Sequence, residues 1–164
     1  QLGMRSGRRL ALDVGKARIG VAVSDPHGIL ASPAGIVLRA ETIELSVAAW
    51  LEFLKSNEAT AECEFLELYV GLPVNLRGEH TESTRDAIEL GVAFANAANL
   101  PIRFVDERLS TVSAAAGLRA SGKNAKQSKS VIDSVAATLI LESALANERL
   151  TDGIPGLTLE EVNR

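Results

Sequence analysis

The order of apolar segments predicts an α/β fold: a mixed five-stranded sheet, three antiparallel strands then two parallel ones, flanked by helices. Three observations carry this expectation. Runs rich in Leu, Ile, Val and Ala at 8–14 and 18–24 are separated only by a turn at Gly15 and Lys16. A third extended run follows a second turn. The apolar runs at 64–73 and 102–107 are each reached through a segment of helical period. Strands joined by tight turns pair antiparallel, whereas strands joined through helices are parallel crossovers. At 164 residues, with 46% apolar and 23% charged side chains, the chain has the length and composition of one globular domain.

Each element has its own signal. "SDPHG" (24–28) is a turn, opened by Asp-Pro and closed by Gly28. The third strand falls within 29–38 and is interrupted by Pro33. Thr42 is placed to cap a helix in which Ile43, Val47, Trp50, Leu51 and Leu54 recur at helical spacing. "EFLELYVGLP" (64–73) returns to strand and is stopped by Gly71 and Pro73. A helix is expected from about Thr81 to Ala98, ahead of Pro101, and "IRFVDE" (102–107) is the fifth strand. Ser110 is expected to cap a helix to about Ala120, and 128–148 to form the last long helix. The expected division is a disordered or vector-derived N-terminus at 1–7, one domain at 8–149, and a loosely attached tail at 150–164.

Composition excludes several functions. No apolar run reaches the roughly 18 residues that a membrane span needs, and residues 1–9 carry no stretch resembling a signal peptide. Cys63 is the only cysteine, which rules out an internal disulfide and fits a reducing cytoplasm. With His27 and His80 the only histidines, a Cys/His zinc site has almost no material, so carboxylates must hold any metal. The net charge of −4 argues against a generic nucleic-acid coat protein, but the charge is unevenly spread. Between Gly117 and Ser130 stand Arg119, Lys123, Lys126 and Lys129 with no acid. Such a cluster is either a solvated loop or a phosphate-contacting segment.

Three regions place carboxylates in apolar settings. Asp13 lies inside the strand "LALDV", Asp106 and Glu107 end "IRFV", and Asp133 follows Val131 and Ile132 near the start of the last helix. An acid at a strand end often only starts a turn, and one in a first helical turn favours the dipole. Asp13 resists that explanation because its strand continues on both sides, and a buried carboxylate needs a partner. Ligand sites in open α/β sheets lie at the carboxyl ends of strands. Acids converging there repel unless a hard divalent cation lies between them.

The segments "LALDVGKARIGVAVSD", "VGLPVNLRGEHTES", "FVDERLSTVSA" and "KSVIDSVAATLILESAL" resemble, in order, the four signature blocks of the YqgF/RuvX family of RNase H-like nucleases. The resemblance spans most of residues 8–146; the acidic stretch 41–64 and the tail have no counterpart. It implies an RNase H-like sheet and a nuclease dependent on Mg²⁺ or Mn²⁺, with two ions. It implies nucleic-acid substrates: the 5′ end of small-subunit ribosomal RNA precursor, or four-way DNA junctions, which a homodimer would cut symmetrically. Carried over by position, Asp13, Glu107 and Asp133 would be the catalytic metal ligands. Arg18 and Arg108 would lie near substrate phosphates, with Lys123, Lys126 and Lys129 beside them. Strand alternation sends Asp106 and Glu107 to opposite faces, and the family pattern favours Glu107. "GLPVNLRG" reads as a turn for close approach of a phosphate or as a plain strand terminator.

Two other readings stand beside this one. The first hairpin also resembles the phosphate-binding hairpin of the sugar kinase, actin and heat-shock ATPases. Those enzymes need a second domain that 164 residues do not supply. The other reading is a weakly catalytic or non-catalytic RNA-binding factor in ribosome assembly.

Overall fold

The computed structural model describes residues 4–109 and 125–164, with backbone alone for 109 and 125–134. Strands β1 (Arg8–Val14), β2 (Arg18–Ser24), β3 (Ala31–Leu38), β4 (Phe65–Leu72) and β5 (Ile102–Asp106) form one sheet in the order β3-β2-β1-β4-β5. β1 pairs antiparallel with β2, and β2 with β3; β4 pairs parallel with β1 and with β5. This is the mixed five-stranded sheet that turn lengths and helical insertions predict. Pro33 is tolerated because β3 is an edge strand, and the β2–β3 register slips between Val21 and Ala22, whose partner is Pro33.

Helices α1 (Ile43–Ser56) and α2 (Glu82–Ala98) cover one face. Thr42 caps α1 by accepting from the Leu45 amide, and Thr81 with Thr84 forms a reciprocal capping box on α2. Their apolar stripes meet Leu10, Leu12, Val21, Leu68 and Val70, the residues of alternate strand positions that point to this side. Trp50 is fully buried there, stacked on Phe94 at 5.0 Å, and its indole N–H donates to the Phe94 carbonyl.

The long helix α3 (Ala125–Thr151) covers the other face, lying across β1, β2, β3 and β4. Its Ala137, Ile140, Leu141, Ala144 and Leu145 pack on Ala11, Ala22, Tyr69 and Val105. The small residues on both sides let helix and sheet approach closely. The expected helix from Ser110 to Ala120 and the position of Lys123 lie outside the described residues.

Two terminal segments differ from the sequence expectation. The tail is docked rather than loose. Phe104 and Leu157 exchange two backbone hydrogen bonds of 2.9 Å, and Arg103 donates to the carbonyls of Pro155 and Gly156 at 2.8 Å each. A one-turn helix α4 (Leu159–Val162) then buries Val162 in the main core. At the other end, Arg5 joins a polar cluster beneath α3. It bonds Glu67 at 2.8 Å and Glu148 at 2.8 Å, while fully buried Arg9 reaches Glu148 at 3.1 Å and the Gly7 carbonyl at 2.7 Å. Sequence reading misses both attachments because their partners are more than 50 positions away.

Candidate active site

Position in the sheet decides which carboxylates meet. Asp13 lies near the carboxyl end of β1, on the face that also carries Arg9 and Ala11 and so lies under α3. Across the antiparallel pair its partner is Gly20, which puts no side chain beside the carboxyl group. On the parallel side Leu12 pairs with Val70 and Gly71 with Val105, so the carboxyl ends of β1, β4 and β5 lie level. Glu107 follows β5 directly, in a single 3-10 turn (Glu107–Leu109). It returns to the face of Asp13, and the two carboxyl groups hydrogen-bond.

Gly71 makes that contact fit. A Cβ there would stand 2.5 Å from Ile140 Cδ1 and 3.6 Å from the Glu107 carboxyl carbon. A side chain at 71 would therefore make the end of Ile140 shift and would crowd the space beside Glu107. Of the two readings of "GLPVNLRG", the structure supplies a third role for its glycine: clearance between strand, helix and carboxylate.

Burial raises the Asp13 carboxyl first, and the hydrogen bond to Glu107 and that residue's charge raise it further, to about 8. At neutral pH Asp13 therefore keeps its proton and donates it to Glu107. Asp106 faces elsewhere. It accepts from the Arg108 backbone amide at 2.9 Å and from the Arg108 guanidinium at 2.6 Å, which holds it below the usual carboxylate range. Strand alternation thus separates the adjacent acids, one to Asp13 and one to Arg108.

The other expected site residues divide by place. Arg18 starts β2 two positions from Gly20, and so takes a register position on the Asp13 face. Arg108 is partly exposed, folded onto Asp106 below the turn at Gly78. Lys126, Lys129 and Asp133 belong to α3, in the part described as backbone alone. The helix direction is nevertheless informative. Glu148 lies at the Arg5–Arg9 end of β1 and Ile140 at Gly71, so α3 runs toward the Asp13 end of the sheet as its numbering falls.

A supporting residue that the sequence did not signal is Arg39. Its guanidinium donates to the Gly15 carbonyl at 3.0 Å and to Asp86 of α2 at 2.7 Å, which ties the turn after Asp13 to a helix.

The donor set fits a hard divalent cation. Two half-buried carboxyls meet where water is partly excluded, and an ion with oxygen preference would take the place of the Asp13 proton and offset the repulsion between them. Among the described residues no group of three His, Cys, Asp or Glu converges, so Asp13 and Glu107 are the two ligands that the described side chains offer.

Residues 7–147 match the model of a family described as RuvX, Holliday junction resolvase. The chain belongs to the RuvX family. Curated relatives carry the name "Putative pre-16S rRNA nuclease". One from Clavibacter sepedonicus is 48% identical over 153 residues, covering 93% of this chain and 91% of the relative. Another, from Leifsonia xyli subsp. xyli, is 48% identical over 157 residues, covering 96% and 97%. Among solved structures, T. thermophilus RuvC in complex with a Holliday junction substrate aligns with a TM-score of 0.55 at 15% identity, over 90% of this chain and 98% of that one. That likeness shows the fold, an RNase H-like sheet. As a RuvX-family chain, the protein is a hydrolase acting on nucleic-acid ester bonds.

Proposed function

We propose that the protein is a divalent-metal-dependent nuclease that matures the 5′ end of 16S ribosomal RNA precursor in the cytoplasm. The observation that carries this reading is the contact between the Asp13 and Glu107 carboxyl groups at the carboxyl ends of β1 and β5. Asp13, Glu107 and Asp133 would hold Mg²⁺ or Mn²⁺. When bound, two such ions supply the positive charge that activates water and stabilises the leaving oxygen in phosphodiester hydrolysis.

The chain's own residues do the rest. Asp13 would have to release its proton to water to serve as a full anionic ligand. Glu107 is held in place by the 3-10 turn and by the clearance at Gly71. Arg18 orients a substrate phosphate from the Asp13 face, and Arg108 contacts the backbone from the exposed side. Lys123, Lys126 and Lys129 add further phosphate contacts. The precursor-rRNA substrate is supported by the name borne by relatives at 48% identity.

The family description favours a second substrate, the four-way DNA junction. Symmetric cutting of a junction would require two sites and so a homodimer. Cleavage of a precursor RNA carrying the 16S 5′ junction, run beside a four-way DNA junction with Mg²⁺, Mn²⁺ and EDTA, tests both. The expected result is metal-dependent cutting of the RNA that Asp13→Asn abolishes. Binding of RNA without cutting in either metal would instead establish a non-catalytic assembly factor.

A further inference from the structure

One short turn separates Asp13 from Arg18. Asp13 stands two positions before Gly15, and Arg18 starts the next strand. The tip between them, Lys16 and Ala17, is exposed, and hairpin tips move unless something ties them down. Arg39, which follows β3 directly, ties both sides of this one. Its backbone amide donates to the Ala17 carbonyl at 2.9 Å, and its guanidinium donates to the Gly15 carbonyl at 3.0 Å. The turn is tight: the Gly15 amide donates to the Arg18 carbonyl at 2.9 Å, and a Cβ at Gly15 would stand 2.6 Å from that oxygen. Arg39 is itself held by a helix. Asp86 of α2 accepts from Nη1 at 2.7 Å and from Nη2 at 3.0 Å, a fork that fixes the plane of the guanidinium as well as its position. The same helix is anchored to a second strand end of the site. The buried Thr84 hydroxyl donates to the carbonyl of Pro73, the residue after β4.

We propose, resting on the metal-dependent nuclease reading above, that Arg39 is a positioning residue: clamped by Asp86, it holds the Gly15–Arg18 turn and so sets where Asp13 stands relative to Arg18. A functional site needs its groups placed to within about 0.5 Å, and residues behind the metal ligands supply that precision. Arg39 acts through the backbone of the turn, not by contact with the reacting atoms. Its charge is met by the fork to Asp86, which leaves the guanidinium little to offer a phosphate. Charge and position predict opposite effects when Arg39 is removed. Taking a cation away from the neighbourhood of two carboxyl groups favours a divalent ion there, by Coulomb's law. Loosening the turn that follows Asp13 disfavours it.

The test measures Mn²⁺ binding to the full chain at one fixed pH, from the electron-spin signal of the free ion. Arg39→Met is expected to weaken binding about tenfold, the scale of lost support behind a metal ligand. Arg39→Lys keeps the charge and lacks the fork, so it should also weaken binding, by several-fold, and it serves alone should Arg39→Met fail to fold. Hydrogen exchange of the Gly15 amide in EDTA should quicken in each variant. Binding of an RNA strand with the 16S 5′ junction, also in EDTA, should keep the parent's affinity and salt slope. Mn²⁺ affinity that is unchanged or raised, with only a lower melting point, makes Arg39 a structural ion pair and overturns the proposal. Weaker RNA binding with a flatter salt slope makes it a phosphate contact and overturns the proposal equally. Both results leave the nuclease reading intact. A parent chain that neither takes up Mn²⁺ nor cuts RNA or a four-way DNA junction overturns both.

Discussion

Asp106 and Glu107 are neighbours in sequence with opposite fates. One is an ionised partner of Arg108, the other shares a proton with Asp13. Glu107→Gln is expected to remove metal-dependent cleavage, whereas Asp106→Asn should leave a measurable rate; comparison of the two rates under saturating Mg²⁺ checks this. The separation of Asp106 from Glu107 was legible because alternation along a strand fixes faces. The clearance at Gly71 was not legible, since it depends on a helix contact from 69 positions away. Asp13 also sets a pH dependence. Its carboxyl is raised to about 8 in the folded state, against about 3.9 in an unfolded chain. Between those values the native state binds the extra proton, so stability falls as pH rises through this window. Asn mimics the protonated form at every pH. Metal-free parent and Asp13→Asn should therefore be similarly stable near pH 4, and the parent should become the weaker by a few kcal/mol as pH approaches 8. Urea unfolding in EDTA across that range measures it. A constant difference between the two would mean that Asp13 is a structural residue.

Helix α3 is the element to which the N-terminal segment is tied. Its stripe of Ala, Ile and Leu was readable as a helix that packs on a sheet, but the role of Glu148 was not. A glutamate near a helix end reads as solvated, and only the fold brings Arg5 and Arg9 to it. Burial pushes the Glu148 carboxyl up, and the hydrogen bonds and charges of the two arginines outweigh that and hold it below its usual range. Glu148→Ala leaves Arg9, which has no solvent exposure, without its counter-charge. Loss of one partner of a buried pair costs about 3–5 kcal/mol, against at most about 1 kcal/mol for an exposed pair. Equilibrium unfolding at pH 7 should thus show a large loss for Glu148→Ala and almost none for Glu160→Ala, whose partner Arg164 is 73% exposed. The tail was misjudged for the same physical reason. "DGIPGLTLEEVNR" is polar and rich in turn residues, and its attachment runs through backbone carbonyls that carry no side-chain signature.

At the scale of the whole molecule, the sheet brings Asp13 and Glu107 together within a chain of net charge −4, so the proposed function requires local basic groups to meet the phosphates. Replacing Lys123, Lys126 and Lys129 together should weaken RNA binding uniformly across sequences. The slope of log K against log salt should flatten by up to about 0.7–0.9 for each lost contact. An unchanged slope returns these lysines to solvent. The same charge arrangement couples metal, protons and stability. An ion on the Asp13–Glu107 pair must displace the proton that Asp13 keeps below pH 8, so metal affinity falls as pH falls. Mg²⁺ at a hundredfold excess over its Kd stabilises a protein by about 2.7 kcal/mol, or roughly 5–10 °C for a domain of this size. The melting shift of the parent should accordingly be large near pH 8.5 and much smaller near pH 6.5 at one fixed Mg²⁺ concentration. Asp13→Asn, which has no proton to release and one anionic ligand fewer, should give a small shift at both. A parent shift that stays constant across that range would place the cation away from Asp13, because no other carboxyl with a resolved displacement among the described residues is raised into it.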